Sequence, residues 1–179
     1  LLHENLTDTV RFPDQLNRRF GVTSLGNIFK WSSGDIQEEG LMVWKASNSS
    51  YAEAFRQIRT NLLFATTTGA GQGGNVFVVS SPGPEEGKST ILSNLAVAIA
   101  QMGKRVVVVD ADMRRPSLHR LLSTGRRERG LSNLLADQTD LDSVIQDTPV
   151  EGLKIITSGP SPPNPAEMLG SQTMTALIS

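Results

Sequence analysis

Ser80-Ser81-Pro82-Gly83-Pro84-Glu85-Glu86-Gly87-Lys88-Ser89-Thr90 is the stretch on which the reading of this chain turns. The apolar run Val76-Phe77-Val78-Val79 leads into it. Ile91, Leu92, Leu95, Ile99 and Met102 follow at helical spacing, and Gly103 stops the pattern. Strand, glycine-bearing loop, Gly-Lys-Ser and helix make the layout of a phosphate-binding loop. Backbone N–H groups from Gly83 to Ser89 can curl around an anion, and the new helix aims its positive dipole end at it. Lys88 is placed to reach the outer phosphates, and the Ser89 hydroxyl to hold Mg²⁺. The usual pattern has a glycine five residues before the Gly-Lys pair; Pro82 stands there. The plainer alternative is a glycine-rich turn before a helix, and the flanking strand and helix patterns favour the phosphate loop. Glu85 and Glu86 are expected to turn their side chains to solvent and offer only their N–H groups.

The bulk properties narrow the field. With 179 residues the chain can bury one sizeable core. A net charge of −1 suggests no nucleic-acid partner. The chain has no cysteine, which excludes disulfides. No apolar stretch approaches the roughly 18 residues that cross a bilayer, and no signal peptide is visible. Because it starts at Leu1 rather than Met, the chain reads as a portion of something longer.

Downstream of the loop helix, Val106-Val107-Val108-Val109 reads as a fully buried strand. With Val76–Val79 it would complete a βαβ unit in a parallel sheet. The right-handed crossover puts both strand ends on one sheet edge. Asp110-Ala111-Asp112 therefore falls beside the phosphate loop, and two carboxylates there call for a cation such as Mg²⁺. Arg114 can reach a phosphate or orient Asp112. His119 has no metal-ligand companion and reads as a surface residue.

Elsewhere, Pro13 opens a short helix with Leu16 and Phe20 on one side and Gly21 at its end. Val22 to Phe29 suits a short strand, and Lys30 to Ser50, with Trp31 and Trp44, suits a linker. Tyr51 to Phe64 is helical, capped by Ser49 or Ser50, with Phe55, Ile58, Leu62 and Leu63 as its apolar stripe. Glu53, Arg56 and Arg59 lie on its outer face, and spacing alone favours a solvated face with local ion pairs. Thr66 to Asn75 reads as a loop. Leu131 to Leu135 and Leu141 to Ile145 suit short helices, the second capped by Asp140. Leu153 to Thr157 suits a strand, Gly159 to Pro165 a loop, and Ala166 to Leu169 the start of a last helix.

Together these stretches resemble the cytoplasmic domain of the bacterial tyrosine kinases, autokinases linked to capsule and exopolysaccharide export. Ser81 to Thr90 is similar to that family's variant Walker A loop. Val106 to Asp112, with Met113-Arg114-Arg115-Pro116, is similar to its Walker A′ motif. Glu53-x-x-Arg56-x-x-Arg59 matches its subunit-contact motif, and Gly130-Leu131-Ser132 and Pro163-Asn164-Pro165-Ala166-Glu167 are further family-like stretches. Leu1 to Gly26 resembles the segment that joins a membrane-anchored chain-length-determinant domain to the kinase.

The resemblance implies an α/β fold, a P-loop NTPase-like parallel sheet with flanking helices, truncated before the Walker B strand. It divides the chain into a juxtamembrane segment and linker over 1–50 and a partial kinase domain over 51–179. It implies ATP and Mg²⁺ as cofactors. Gly83, Pro84, Glu85, Glu86, Gly87, Lys88, Ser89, Thr90 and Arg114 would hold the nucleotide, and Ser89, Asp110 and Asp112 the metal. Lys88, Asp110 and Asp112 would be catalytic, with Asp110 a Mg²⁺ ligand or the base for the tyrosine hydroxyl. It also implies self-association through Glu53, Arg56 and Arg59. The place would be the cytoplasmic face of the bacterial plasma membrane, with a membrane-anchored chain-length-determinant domain or activator as partner and no nucleic acid.

Two departures stand out. The third acidic motif, Walker B, and the C-terminal tyrosine cluster do not occur before Ser179, and Tyr51 is the only tyrosine. The stretch by itself is therefore expected to transfer phosphate poorly. Two other readings compete. The partitioning and septum-placement ATPases share the fold but carry a signature lysine where this chain has Gly83. A non-catalytic module that binds nucleotide and regulates polysaccharide polymerisation is the third.

Overall fold

The computed structural model describes residues 13–29, 40–66 and 75–179. Residues 1–12, 30–39 and 67–74 lie outside it, and with them the first part of the expected linker, Trp31 and most of the loop after Phe64. The elements in chain order are helices α1 (Pro13–Phe20), α2 (Met42–Lys45), α3 (Ser50–Thr66) and α4 (Lys88–Ala100), strand β1 (Val106–Val109), helices α5 (Leu118–Leu121) and α6 (Leu131–Leu135), strands β2 (Ile145–Asp147) and β3 (Leu153–Ile156), and helices α7 (Pro165–Leu169) and α8 (Gln172–Ile178).

The sheet order is β1-β3-β2. β1 and β3 run parallel with Val106 opposite Leu153, and β2 and β3 run antiparallel with Ile145 opposite Ile156. The sheet is thus mixed, a correction to the all-parallel expectation. The cause is local: only residues 148–152 separate β2 from β3, too few for a crossover. Gly152 takes the left-handed conformation that this short connection needs, at φ +78°.

Side-chain alternation divides the core. Val108, Leu153 and Ile155 join a cluster with α2, α3, α4 and α5, centred on Phe55 and Val97. Ile156 joins Met113, Leu131, Leu135 and Val144 in a second cluster, against which Met168, Leu169, Met174 and Leu177 of α7 and α8 pack.

Two expected strands do not form. Val76–Val79 pairs with no strand among the described residues, with Val76 and Val78 61% and 88% exposed. A β-branched run becomes a strand only where a neighbour supplies the ladder, and among the described residues none lies alongside. For the same reason β1 is not fully buried: Val108 is 3% exposed and Val107 50%. Residues 21–29 likewise carry no strand. Leu25 and Ile28 lean on the first core cluster instead, and Asn61 Nδ2 donates to Leu25 O at 2.8 Å.

The helices follow the sequence more closely. Gly21 closes α1 at φ +64°, its N–H donating to Asn17 O at 2.9 Å. Ser49 caps α3: its Oγ accepts the Ala52 N–H at 3.1 Å. Leu141 to Ile145 makes a single turn rather than a helix, and Ile145 passes directly into β2. Asp140 does cap that turn, accepting the Ser143 N–H at 2.8 Å and its hydroxyl at 2.6 Å.

The packed body begins before Tyr51. Leu41, Met42 and Val43 are buried, and the Val43 N–H donates to Asn94 Oδ1 at 3.0 Å. Asn94 is fully buried on α4, and its Nδ2 donates to Thr90 O at 3.0 Å. Asn94→Ala strands the Val43 amide and is expected to lower stability by about 1–3 kcal/mol, read as the midpoint shift of a urea melt. An unchanged midpoint would mean that α2 is not held through this bond.

Candidate functional site

The loop from Ser80 to Gly87 feeds directly into α4, whose first helical bond runs from the Ile91 N–H to Gly87 O at 2.9 Å. Gly87 adopts φ +85°, so the chain turns sharply and leaves the first amides of α4 facing outward. Glu85 also takes a left-handed φ, +62°, a conformation that costs a non-glycine residue energy. Its side chain projects to solvent, 87% exposed. Glu86 departs from expectation: its carboxylate folds back and accepts the Gly83 N–H at 3.0 Å. The Gly83 amide is therefore satisfied within the loop. The Ser81 hydroxyl donates to Gly83 O at 2.7 Å and closes the other side.

The acidic turn sits where the topology requires. Asp110 follows β1, and its N–H donates to Ile156 O of β3 at 2.9 Å, which fixes the turn to the sheet. Asp110 is 2% exposed. Its two oxygens accept the Asp112 N–H at 3.3 Å and the Leu118 N–H at 3.1 Å. Burial pushes its carboxyl up to about 6 against the pull of these amides. Asp112 is closer to solvent, and its Oδ2 lies 2.9 Å from Lys88 Nζ. Burial raises the Asp112 carboxyl, but the Lys88 hydrogen bond, the Arg115 amide and the Lys88 charge outweigh it, so its pKa lies below the ordinary value.

The Lys88–Asp112 contact joins the phosphate loop to the acidic turn across a cleft of about 660 Å³. Pro84, Glu85 and Gly87 to Thr90 line it together with Asp112 and Arg114. Of the residues expected to hold nucleotide or metal, Gly83 and Glu86 are tied to each other, and Asp110 sits beneath Asp112. Ser89, at the first turn of α4, and Asp112 together present a hydroxyl and a carboxylate, a donor set that fits a small divalent cation which takes its other oxygens from phosphate. Among the described residues no cluster of three or more His, Cys, Asp or Glu forms a metal cage by itself.

The Glu53/Arg56/Arg59 face is only partly as expected. Arg56 pairs with Glu53 at 2.5 Å within α3 and also donates to Ser47 O. Arg59 turns inward and donates to Ala98 O of α4 at 2.9 Å, and its Nε is buried with no hydrogen-bond partner among the described residues. The outer face therefore consists of Glu53 and Arg56, with Arg59 bridging two helices.

Comparison with known proteins places this geometry. The ParA family model, described as an iron-transfer P-loop NTPase of the NUBPL type, matches residues 74–160. The tyrosine-protein kinase ptk of Acinetobacter johnsonii is 39% identical over 77% of this chain and 18% of its own length. The tyrosine-protein kinase YwqD of Bacillus subtilis is 35% identical over 80% of this chain and 59% of its own. The kinase domain of the Escherichia coli tyrosine kinase ETK superposes with a TM-score of 0.81 at 33% identity, over 95% of this chain and 68% of that domain. The chain belongs to the bacterial tyrosine-protein kinase family. It spans less than two thirds of the length of the curated kinases it matches. The kinase-domain likeness confirms an α/β P-loop NTPase fold. No helix among the described residues is long and apolar enough to cross a membrane.

Within this kinase fold, sequence reasoning missed several features of the site. Arg115, Ser117 and Arg120 also line the cleft. Arg115 stands next to the Asp-x-Asp pattern and was in principle findable; Arg120 becomes visible only once α5 folds over the cleft. His119 is half-buried rather than a surface residue, and among the described residues its Nδ1 has no hydrogen-bond partner. Burial, then Arg120 and Arg127, hold its pKa below the ordinary value.

Proposed function

We propose that the parent protein is an ATP-dependent protein-tyrosine autokinase that regulates capsular or exopolysaccharide synthesis and export. The observation that carries this reading is the 2.9 Å contact between Lys88 and Asp112. It sets a phosphate-reaching ammonium and a metal-competent carboxylate at one point, at the start of α4. In this reading the amides of Gly87 to Thr90 and Lys88 hold the β- and γ-phosphates of ATP. Ser89 and Asp112 hold Mg²⁺, which neutralises phosphate charge when bound. Asp110 fixes the turn that aims Asp112, and Arg114 closes on the phosphates.

Phosphoryl transfer depends chiefly on positioning and charge neutralisation. The tyrosine oxygen bonds to the γ-phosphorus while the bond to the bridging β–γ oxygen breaks. ADP leaves with that electron pair, and the phenolic proton ends on a carboxylate of the Asp110/Asp112 pair. The test incubates the full-length protein with γ-labelled ATP and Mg²⁺ and probes for phosphotyrosine. Label on tyrosine is expected. ATP hydrolysis without phosphotyrosine would favour the regulatory ATPase reading that the ParA-family match also supports. Gly83, in the place of the partitioning ATPases' signature lysine, weighs against those relatives.

By the same reading the protein works at the cytoplasmic face of the plasma membrane with a membrane-anchored chain-length-determinant domain or activator, and it self-associates through Glu53, Arg56 and Arg59. The Glu53–Arg56 pair is worth little where it stands, and re-pairing with a neighbouring subunit requires Arg56 to leave the Ser47 carbonyl as well. Arg56→Glu is expected to leave the fold intact and abolish self-association of the full-length protein, measured as mass by light scattering. An unchanged mass would leave this helix face merely solvated.

A further inference from the structure

The phosphate loop is built in two unlike halves. Pro82 and Pro84 have no N–H, so Gly83 supplies the only backbone donor between Ser81 and Glu85. That donor is already taken up inside the loop, by Glu86 Oε2 at 3.0 Å. The Gly83 carbonyl is held too, accepting the Ser81 hydroxyl at 2.7 Å. The first half of the loop therefore offers no amide to a phosphate, and the amides that can meet one come after it, at the start of α4. Pro84, Glu85 and Gly87 line the cleft, whereas Gly83 and Glu86 do not. The Glu86 carboxylate thus does not fill the place of a phosphate.

Glu85 lies between the two partners of this bond, at φ +62°. A non-glycine residue stays in that region only where its surroundings hold it there. Its own side chain does not: it is 87% exposed, and Arg115, 3.7 Å away, is 74% exposed. The Glu86–Gly83 bond spans Glu85 and closes the turn around it. Directly after Glu86, Gly87 turns at φ +85° and leads into α4. Glycine at 83 fits the same clamp. Gly83 is not left-handed, and the three atoms nearest to a Cβ built there all belong to Glu86, Oε1 at 2.9 Å. Resting on the phosphate-loop reading, we propose that the Glu86 side chain is a positioning residue for nucleotide. It clamps Gly83, holds the turn at Glu85 and keeps the amides of α4 set before nucleotide arrives. Binding then has less of the loop left to order.

Charge alone predicts the opposite sign, which separates the two accounts. A carboxylate near a triphosphate repels it, so its removal by itself should tighten binding. The clamp predicts that Glu86→Ala weakens binding of Mg²⁺ and a nonhydrolysable ATP analogue by about five- to tenfold. Calorimetric titration of the full-length protein, with matched thermal melts, reads this. Glu86→Gln keeps an oxygen acceptor without the charge and should bind at least as tightly as the wild type. Gly83→Ala should weaken binding to a similar degree by pushing the carboxylate aside, and the two alanines together should do no more than either alone. Amide hydrogen exchange at Gly83 without nucleotide reads the clamp itself, slower in the wild type and Glu86→Gln than in Glu86→Ala. Glu86→Ala binding as well as the wild type would overturn the proposal. So would Glu86→Gln falling as far as Glu86→Ala, additive effects in the double variant, or equal exchange rates. A wild type that binds no nucleotide would instead strike the phosphate-loop reading, and the exchange rates would then decide alone whether the clamp exists.

Discussion

Lys88→Ala is expected to weaken binding of a nonhydrolysable ATP analogue by about 1.5–3 kcal/mol, roughly 10- to 150-fold. The lysine sits at the first position of α4, where the helix already favours an anion, and its ammonium lies 2.9 Å from Asp112. Removing it takes away a charge-assisted contact to phosphate and leaves a carboxylate at the mouth without its cation. Nucleotide would then meet both a missing donor and an uncompensated negative charge. The Asp112 carboxyl, now held below its ordinary pKa, should move back up in the variant, because the Lys88 hydrogen bond and charge help to outweigh burial. Calorimetric titration of both proteins, with matched thermal melts as a folding control, checks the prediction. Equal affinities would remove Lys88 from the site.

The second large effect concerns Asp110 and pH. Its folded-state carboxyl is raised to about 6 from 3.8, burial being the main cause. The native state therefore holds this proton more tightly than the unfolded chain does. The resulting stability is fully present below about pH 3.8 and is lost as pH rises through about 6. The whole swing amounts to roughly 3 kcal/mol. Asp110→Asn has no proton to exchange and should lack this component. Urea melts of wild type and variant between pH 4 and 7 isolate it, since the other carboxylates cancel in the difference. Wild-type stability should fall relative to the variant as pH rises. Parallel profiles would show that Asp110 titrates normally and is not buried as described. Keeping an ionised carboxylate beneath Asp112 at neutral pH lowers stability, a cost common at sites built for chemistry.

The sequence made some of this legible and not the rest, for physical reasons. The phosphate loop and the acidic turn were readable because their chemistry is local: Gly87, Lys88 and Ser89 act within one turn, and Asp110 follows directly on a valine run. The likeness to the kinase family was readable because several short motifs fall in one order. Pairing was not readable. Val76–Val79 has the composition of a strand, yet strand formation depends on a neighbour that composition does not specify. Leu141, Val144 and Ile145 suit either one helical face or a turn running into a strand, and the short hairpin to β3 decides between them. Leu41–Val43 is too short a run to announce itself as core; its burial comes from the shape of α4 around Asn94. Glu86 is a case of local chemistry missed: a side chain three residues from an unsatisfied amide was free to reach back, and it does. Arg59 likewise left the face assigned to it because the Ala98 carbonyl lay within reach.

The central claim is that the cleft joining Lys88 to Asp112 is where nucleotide phosphates are held. Amide chemical shifts of the isotopically labelled protein, followed during titration with Mg²⁺ and a nonhydrolysable ATP analogue, test it most directly. The account predicts saturable shifts concentrated at Gly87 to Thr90 and at Asp112, with the Lys88–Asp112 contact exchanged for contacts to phosphate. Shifts that cluster elsewhere, or a spectrum that nucleotide leaves unchanged at the start of α4, would contradict it.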